Sequence, residues 1–280
     1  MFDDSQSLLR TFRRSLLYFF LSFVAVLAIF PFALMVLTSL KEGGAALTAI
    51  SKLIPEQPTL QNFVDVWVTD SFAIYFRNTA IVTAAVILGN IVFDSMVAYA
   101  LSRHNFMGKR GVFLVIIARM MIPIQVLIIP LYELMHWLNL YDTLIALILP
   151  TLVQGFGVFL LKQYFDGIPR SLDEAAIMDG ANDFQILWRV IMPLAKPAIA
   201  VLVINTALTS WNAFLLPLIL TSSEGTRTLS LGLALYSNRF GVDFIHQMAA
   251  SSISALPILA IFLVFQRQII SGLTKGAVKQ

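Results

Sequence analysis

Residues 16–40 read LLYFFLSFVAVLAIFPFALMVLTSL, an apolar run that lies between Arg14 and Lys41 and contains no charged side chain. Because roughly 20 apolar residues cross about 30 Å of hydrocarbon, this run predicts a membrane-spanning helix. Arg10 and Arg13 ahead of it resemble the start of a signal peptide. The apolar run is too long for one, however, and no small-x-small cleavage pattern follows it. We therefore expect a retained anchor.

The composition of the whole chain agrees with a membrane protein. Hydrophobic residues make up 58% of it and charged residues 12%, about half the charged share of soluble proteins. A soluble fold could not cover so much apolar surface without large exposed patches. The chain has no cysteine, which excludes disulfides and thiolate metal sites. Its net charge of +3 is too small to favour nucleic acid as a partner. We interpret the three histidines as residues of the membrane interface rather than metal ligands: His104, His136 and His246.

Five further apolar runs have the length of a span: Asn78–Leu101, Gly111–Tyr132, Thr143–Leu161, Pro197–Leu220 and Met248–Phe265. Proline is expected to kink helices at four places, Pro31, Pro123, Pro130 and Pro217. The sequence thus predicts an all-α membrane protein with six transmembrane helices. Its expected organisation is an amino terminus (1–15), a transmembrane domain (16–273) with loops 41–77, 166–196 and 221–247, and a tail (274–280).

The distribution of lysine and arginine orients these spans, because both residues accumulate on the cytoplasmic side of a membrane. With the amino terminus inside, thirteen fall on the cytoplasmic side, namely Arg10, Arg13, Arg14, Arg103, Lys109, Arg110, Lys162, Arg170, Arg189, Lys196, Arg267, Lys275 and Lys279. Five fall outside, namely Lys41, Lys52, Arg77, Arg227 and Arg239. We therefore expect both termini and the 166–196 loop in the cytoplasm, and loops 41–77 and 221–247 outside. In the first external loop, Leu60, Phe63, Val64 and Trp67 share one helical face, which predicts a short helix at the interface.

The predicted cytoplasmic loop includes PRSLDEAAIMDGANDFQILWRVIMPLAKP, residues 169–197. Ser171 and Glu174 have the spacing of a capping box, and Gly180 can take the left-handed conformation that ends a helix. Asn182 or Asp183 can cap a second helix. The pattern predicts a helix–glycine–helix elbow, the kind of helix that a partner's groove can receive. From these signals alone, an ordinary interfacial connector is an equal alternative.

The spacing of Glu174-Ala175-Ala176, Gly180 and Val190-x-Met192-Pro193 resembles the EAA motif of permeases in ATP-binding-cassette (ABC) importers. The family prefers isoleucine and leucine where this chain has Val190 and Met192. The resemblance implies a type I ABC importer permease, in which this loop forms a coupling helix that docks on an ATPase subunit. The residues to which it assigns that role are Ser171, Asp173, Glu174, Ala175, Ala176, Asp179, Gly180 and Pro193.

Other stretches resemble the carbohydrate branch of that family, in particular the second permease of maltose-type and glycerol-phosphate-type systems. They are PTLQNFVDVW (58–67), YFRNTAIV (75–82), YALSRHNFMGKR (99–110), SWNAFLLPL (210–218) and SGLTKGAVK (271–279). The resemblance implies a multi-pass protein of a prokaryotic plasma (inner) membrane. It also implies a lipid environment, a homologous second permease, two copies of an ATPase and an extracytoplasmic solute-binding protein as partners.

The chain contains no G-x-x-x-x-G-K-[ST] phosphate loop. We therefore expect no catalytic residue and no cofactor in it, with ATP and magnesium bound by the partner ATPase. Three other interpretations stay open. The chain could import a non-sugar solute with the same architecture, or it could be a secondary transporter driven by protons. A purely structural membrane scaffold is a third.

Two charged residues lie inside predicted spans, Asp94 and Arg119. Intramembrane charges are costly and are functional candidates by default. Counted at 1.5 Å per residue, both lie at a similar depth, so we expect an intramembrane ion pair. A proton relay or a solute-binding pair is the alternative.

Uncharged polar residues within the spans are candidates for a solute pathway: Asn90, Gln125, Gln154, Asn205, Thr209, Ser210, Trp211 and Asn212. Trp211 and Asn212 could offer an aromatic face and a hydrogen-bonding group to a sugar. For any single residue, a hydrogen bond between helices is the preferred interpretation.

Overall fold

The computed structural model describes residues 2–42, 54–55, 57–68, 70–240 and 244–277. Parts of the predicted loops 41–77 and 221–247 and of the tail 274–280 lie outside these residues. Every regular element in the described part is helical, which confirms the all-α prediction. The helices are α1 (Phe2–Ser39), α2 (Gln61–Val68), α3 (Phe72–Arg103), α4 (Lys109–Met121), α5 (Ile124–Trp137), α6 (Leu144–Ile148), α7 (Gly155–Asp166), α8 (Ser171–Met178), α9 (Asp183–Leu194), α10 (Lys196–Trp211), α11 (Leu215–Leu220), α12 (Leu229–Phe240) and α13 (Phe244–Ala277).

Within the described residues, four helical segments are long and apolar enough to span a membrane: Phe12–Ser39, Phe72–Arg103, Leu144–Asp166 and Phe244–Gln266. Two bent pairs, α4 with α5 (103°) and α9 with α10 (85°), raise the number to as many as six if each pair is one span. The first bend falls at Pro123, where a kink was predicted. The fifth predicted span is not one continuous helix, because residues 212–214 interrupt it between α10 and α11.

The chain divides into two compact units, residues 1–70 with 236–255 and residues 71–235 with 256–280. In the first unit, α2 confirms the predicted short helix, and the hydroxyl of Thr59 accepts the Gln61 backbone N–H at its start. The Asn62 amide fixes this helix by donating to the carbonyls of Ser39 and Lys41. Val66 is fully buried. Leu60, Val64 and Trp67 of the predicted apolar face are exposed.

The second unit is built on α3, which packs against α7 and α10. Two π turns interrupt its helices, Asn90–Asp94 within α3 and Ile186–Ile191 within α9. Its largest buried cluster joins the ends of α3 and α7 to α9, through residues such as Tyr99, Phe165 and Ile186. This cluster attaches the 166–196 loop to two spans.

Within the predicted external loop 221–247, the structure describes residues 221–240 and 244–247. They contain a 3₁₀ turn (Glu224–Thr226) and α12. Asp142 holds this turn, because its carboxylate accepts the backbone N–H groups of Ser222 (2.8 Å) and Ser223 (3.0 Å) and the Thr226 hydroxyl. Burial raises the pKa of Asp142, but these hydrogen bonds outweigh it and lower the pKa to about 2.

Candidate functional site

The span from α6 to α7 is broken in its middle. A 3₁₀ turn (Leu149–Thr151) follows α6, and α7 begins only at Gly155. A helix that ends leaves its last carbonyls without helical donors. Inside a membrane such irregular backbone is tolerated only where protein or a water-filled cavity satisfies it. We call residues 150–154 the break. The groups that form hydrogen bonds with the backbone of the break define the candidate site.

Asn90 supplies donors to two carbonyls of the break. Its amide donates to Thr151 O (2.8 Å) and to Leu152 O (2.9 Å). Its own oxygen accepts the hydroxyl of Thr206 on α10 (3.0 Å). The side chain is fully buried, so it joins α3, the break and α10 without access to solvent.

Arg119 and Asp94 also bind the break. The Arg119 guanidinium donates to Val153 O (3.2 Å) and Pro150 O (3.4 Å), and Asp94 Oδ1 accepts the Gln154 backbone N–H (2.9 Å). Among the described residues these are the partners of both groups, so the predicted ion pair is not formed. The physical reason is that unpaired backbone groups lie between the two side chains and bind each of them.

The π turn of α3 explains why two of these side chains reach the same segment. Asn90 and Asp94 are its first and last residues, and π turns are often found at functional positions. The break packs closely against α3, because a Cβ at Gly89 would overlap the Leu152 side chain. A Cβ at Gly157 would overlap the Asp94 carboxylate. A larger residue at either glycine would therefore force the neighbouring side chain to shift.

A cavity of about 700 Å³ adjoins the break within the second unit. Pro150, Thr151, Gln154 and Gly155 line it, together with residues at the bend between α4 and α5. Among its described lining residues, Arg119 alone is charged. The rest of the lining is mostly apolar, with a few hydroxyl and amide groups. The cavity is therefore a compartment at membrane depth that offers hydrogen bonds and one positive charge.

Of the predicted pathway residues, Gln154, Thr209 and Ser210 line this cavity. Asn90 lies behind the break, and Gln125, Asn205, Trp211 and Asn212 are not among the lining residues. Trp211 is buried against Phe76 instead. Sequence reasoning missed Thr79 and Thr228, which line the cavity. Thr228 is 4% exposed, and its hydroxyl has no hydrogen-bond partner in the described structure.

The 166–196 loop forms the predicted elbow. Gly180 has φ +83°, and the backbone N–H of Ala181 donates to Ala176 O (2.9 Å) while that of Gly180 donates to Ile177 O (2.9 Å). This pair of bonds is a Schellman motif, which confirms the role of Gly180 in ending α8.

The predicted caps of the elbow are partly wrong. In the described structure, α8 has no side-chain cap, so Ser171 and Glu174 do not form a capping box. The Arg170 carbonyl instead accepts the backbone N–H of Glu174 (3.0 Å). The capping box is at the next helix, where Asn182 and Gln185 exchange hydrogen bonds of 2.9 and 3.0 Å.

Polar contacts attach the loop to the end of α3. Arg103 Nε lies 2.7 Å from Asp173 Oδ2 in a largely buried ion pair. The Ser102 hydroxyl donates to Asp166 (2.7 Å), and Arg170 donates to the Ser102 carbonyl (3.3 Å). Burial raises the pKa of Asp173, and the nearby Arg103 opposes that shift. The loop is therefore held to α3 by charge and hydrogen bonds as well as by the buried cluster.

The predicted coupling residues divide between two faces of the loop. Asp173 is buried and Ala176 half-buried. The others are exposed: Ser171, Glu174, Ala175, Asp179, Gly180 and Pro193. Large apolar side chains share this exposure, with Met178 87%, Phe184 63% and Ile177 57% exposed. An apolar surface of this kind is typical of a protein interface.

Comparisons with known proteins give one consistent result. Residues 95–273 match the family model described as the inner membrane component of binding-protein-dependent transport systems. The chain is 34% identical to the arabinooligosaccharides transport system permease protein AraQ of Halalkalibacterium halodurans, over 92% of this chain and 94% of that one. It is 36% identical to the inner membrane ABC transporter permease protein YcjP of Escherichia coli, over 96% and 98%. Its fold is similar to a chain in the crystal structure of a bacterial ABC transporter that imports the acidic polysaccharide alginate. That similarity has a TM-score of 0.79 and 27% identity, covering 90% of this chain and 94% of that one.

Proposed function

The chain belongs to the family of inner membrane components of binding-protein-dependent transport systems, and on that premise we propose that it forms part of the membrane pathway of a saccharide importer. It is a multi-pass permease subunit with a type I importer fold, and proteins of this family are not themselves enzymes. The observation that carries the proposal is that one helix, α3, is attached both to the wall of a cavity at membrane depth and to the exposed elbow.

The saccharide is favoured by the relatives and by the cavity lining. Similar permeases include those named for arabinooligosaccharide transport and for trehalose/maltose transport. The hydroxyl groups of Thr79, Thr209 and Thr228 and the amide of Gln154 offer donors and acceptors of the kind that sugar hydroxyls need. A homologous second permease would close the open side of the cavity.

The energy source in this proposal is a pair of partner ATPases that bind ATP and magnesium. They would dock on the exposed face of α8, around Ile177 and Met178. ATP-driven closure of the ATPases would displace α8, and the Arg103–Asp173 ion pair would transmit that displacement to α3. Since Asn90 and Asp94 on α3 hold the break, the cavity wall would move with it. This is a rigid-body route to alternating access.

The orientation in this proposal follows from the excess of positive charge on one side. The termini and the elbow would face the cytoplasm, and residues 221–247 would face the binding protein outside. The hydrogen bonds of Asp142 would keep the Ser222–Thr226 turn in a fixed position for that contact.

Reconstituted vesicles test the proposal. The complete importer should take up a radiolabelled oligosaccharide that its binding protein retains, and only with internal ATP. Uptake without ATP and without the ATPases would contradict the proposal and favour a proton-coupled transporter.

The docking face has a matched pair of variants. Met178→Asp should abolish co-purification of the ATPases, because it places a charge at the centre of the proposed contact. Met107→Asp, at a fully exposed methionine outside the elbow, should retain them. Equal retention by both variants would refute docking on α8.

A further inference from the structure

A second cavity, of about 450 Å³, lies where the ends of α3 and α7 meet the start of α4. Three cationic residues line it, Lys109, Arg110 and Lys162, together with three apolar residues, Leu101, Phe106 and Phe113. Among its described lining residues there is no carboxylate. We call it the basic cavity, and it is separate from the cavity at the break.

Two of the three cations of the basic cavity, Lys162 and Lys109, make polar or ring contacts, whereas Arg110 is exposed. Lys162 Nζ lies 4.9 Å from the centre of the Phe113 ring, a cation–π distance, and it also pairs with Asp166. Lys109 Nζ donates to His104 O (2.8 Å). Asp166, which accepts a hydrogen bond from Ser102, offsets one of the three positive charges, so the cavity keeps a net positive charge.

The start of α4 adds a further attraction for anions. Gly108 precedes the helix with φ +84°, and no side chain caps α4 in the described structure. The first N–H groups of a helix have no helical acceptor and carry partial positive charge. Phosphate groups bind at such positions. The helix is thirteen residues long, and its start coincides with the three cations.

The position of the basic cavity at the membrane boundary indicates what kind of anion fits. Leu101 and Lys162 lie near the ends of two spans, and α4 begins a third. Beyond the cations, α4 exposes Val112 (46%), Leu114 (56%) and Val115 (69%). An apolar strip that continues from a basic cavity matches a molecule with an anionic head and acyl chains.

We propose that the basic cavity binds the phosphate headgroup of an anionic phospholipid from the membrane leaflet on the side of the elbow. The proposal goes beyond the importer function and does not depend on the transported solute. Lys109 and Arg110 would contact the phosphate, and the acyl chains would lie along α4. The bound lipid would brace residues 102–104, which hold the elbow.

The test uses the assembled importer in nanodiscs of phosphatidylcholine with or without phosphatidylglycerol. Native mass spectrometry measures the phosphatidylglycerol retained by each complex. Lys109→Gln/Arg110→Gln should retain it roughly 30-fold more weakly, at about 1 kcal/mol per cation. The control Arg189→Gln/Lys196→Gln removes the same charge from exposed positions on the elbow's side and should retain it as the native chain does. Arg110→Gln alone provides a milder variant in case the double variant fails to assemble.

Three results would overturn the proposal. Equal loss in the control variant would show a general charge effect rather than a site. Equal thermal stabilisation by inorganic phosphate in phosphatidylcholine nanodiscs would show a free-phosphate site rather than a lipid site. Retention by the isolated chain but not by the assembled importer would show that a partner subunit covers the cavity.

Discussion

Asn90→Leu probes the break most directly, because leucine has a similar volume but cannot form any of the three hydrogen bonds of Asn90. The carbonyls of Thr151 and Leu152 would lose their donor, and the Thr206 hydroxyl would lose its acceptor. At about 0.6 kcal/mol for a typical hydrogen bond between membrane helices, the total is about 2 kcal/mol. If each group stays buried and unpaired at about 2 kcal/mol, the total reaches about 6 kcal/mol. We expect a loss of stability between these limits.

The assay is unfolding of the purified importer by SDS titration, followed by circular dichroism. Asn205→Leu is the matched control, since Asn205 lies beside Thr206, is half-buried and makes no side-chain hydrogen bond in the described structure. Equal midpoints for the two variants would refute the reasoning. A double-mutant cycle with Thr206→Val should also show a coupling energy above about 0.5 kcal/mol, whereas additive effects would contradict the Asn90–Thr206 bond.

Three other variants test neighbouring features. Gly157→Ala should destabilise the chain by about 1–3 kcal/mol in the same titration, because its Cβ would overlap the Asp94 carboxylate, whereas Gly225→Ala enters open space and should have no effect. The pKa of Asp142 is about 2 rather than 3.8, so its charged form stabilises the chain above about pH 4, and that contribution disappears as the pH falls toward 2. Asp142→Asn should remove this part of the acid dependence of thermal stability. An unchanged acid profile would contradict the prediction. Asp173→Asn weakens the ion pair between α8 and α3, so solute uptake per ATP hydrolysed should fall while ATPase activity persists. An unchanged ratio of uptake to ATP hydrolysis would show that this ion pair does not transmit the displacement of α8 to α3.

The elbow was predictable because its determinants are local. The helix-ending preference of Gly180 acts through carbonyls within five residues of it, and the structure has those bonds. Apolar runs of spanning length were predictable for a similar reason, since they are read directly from the sequence, but the structure has six spans only if each bent pair counts as one. The cap of α8 was wrongly predicted, because the helix begins at Ser171 itself and no side chain caps it in the described structure.

The break was not predictable, because its partners are distant in sequence. Thr151 lies inside an apolar run and receives its donor from a residue 61 positions away. Counting helical rise placed Asp94 and Arg119 at a similar depth, and both do meet the same segment. That count assumed that the fourth predicted span is a continuous helix, in which every backbone carbonyl is bonded within the helix. It therefore could not include the unpaired backbone groups that lie between Asp94 and Arg119. The wrong prediction of an ion pair and the failure to predict the break therefore have the same cause.

The positions of the break and the elbow on one helix constrain how the chain can work. Asn90 and Asp94 hold the break, and Arg103 holds α8, about 14 Å further along α3 at 1.5 Å per residue. The stretch from Ser95 to Arg103 between them is regular α-helix, which transmits displacement without bending. Separation of the break from α3 would leave the carbonyls of Thr151 and Leu152 and the backbone N–H of Gln154 unpaired at membrane depth, each at a cost of several kcal/mol. We therefore expect the break to follow α3 if the elbow is displaced. We expect the cavity then to change shape by motion of its other wall, at α5 and α11, relative to α3 and the break.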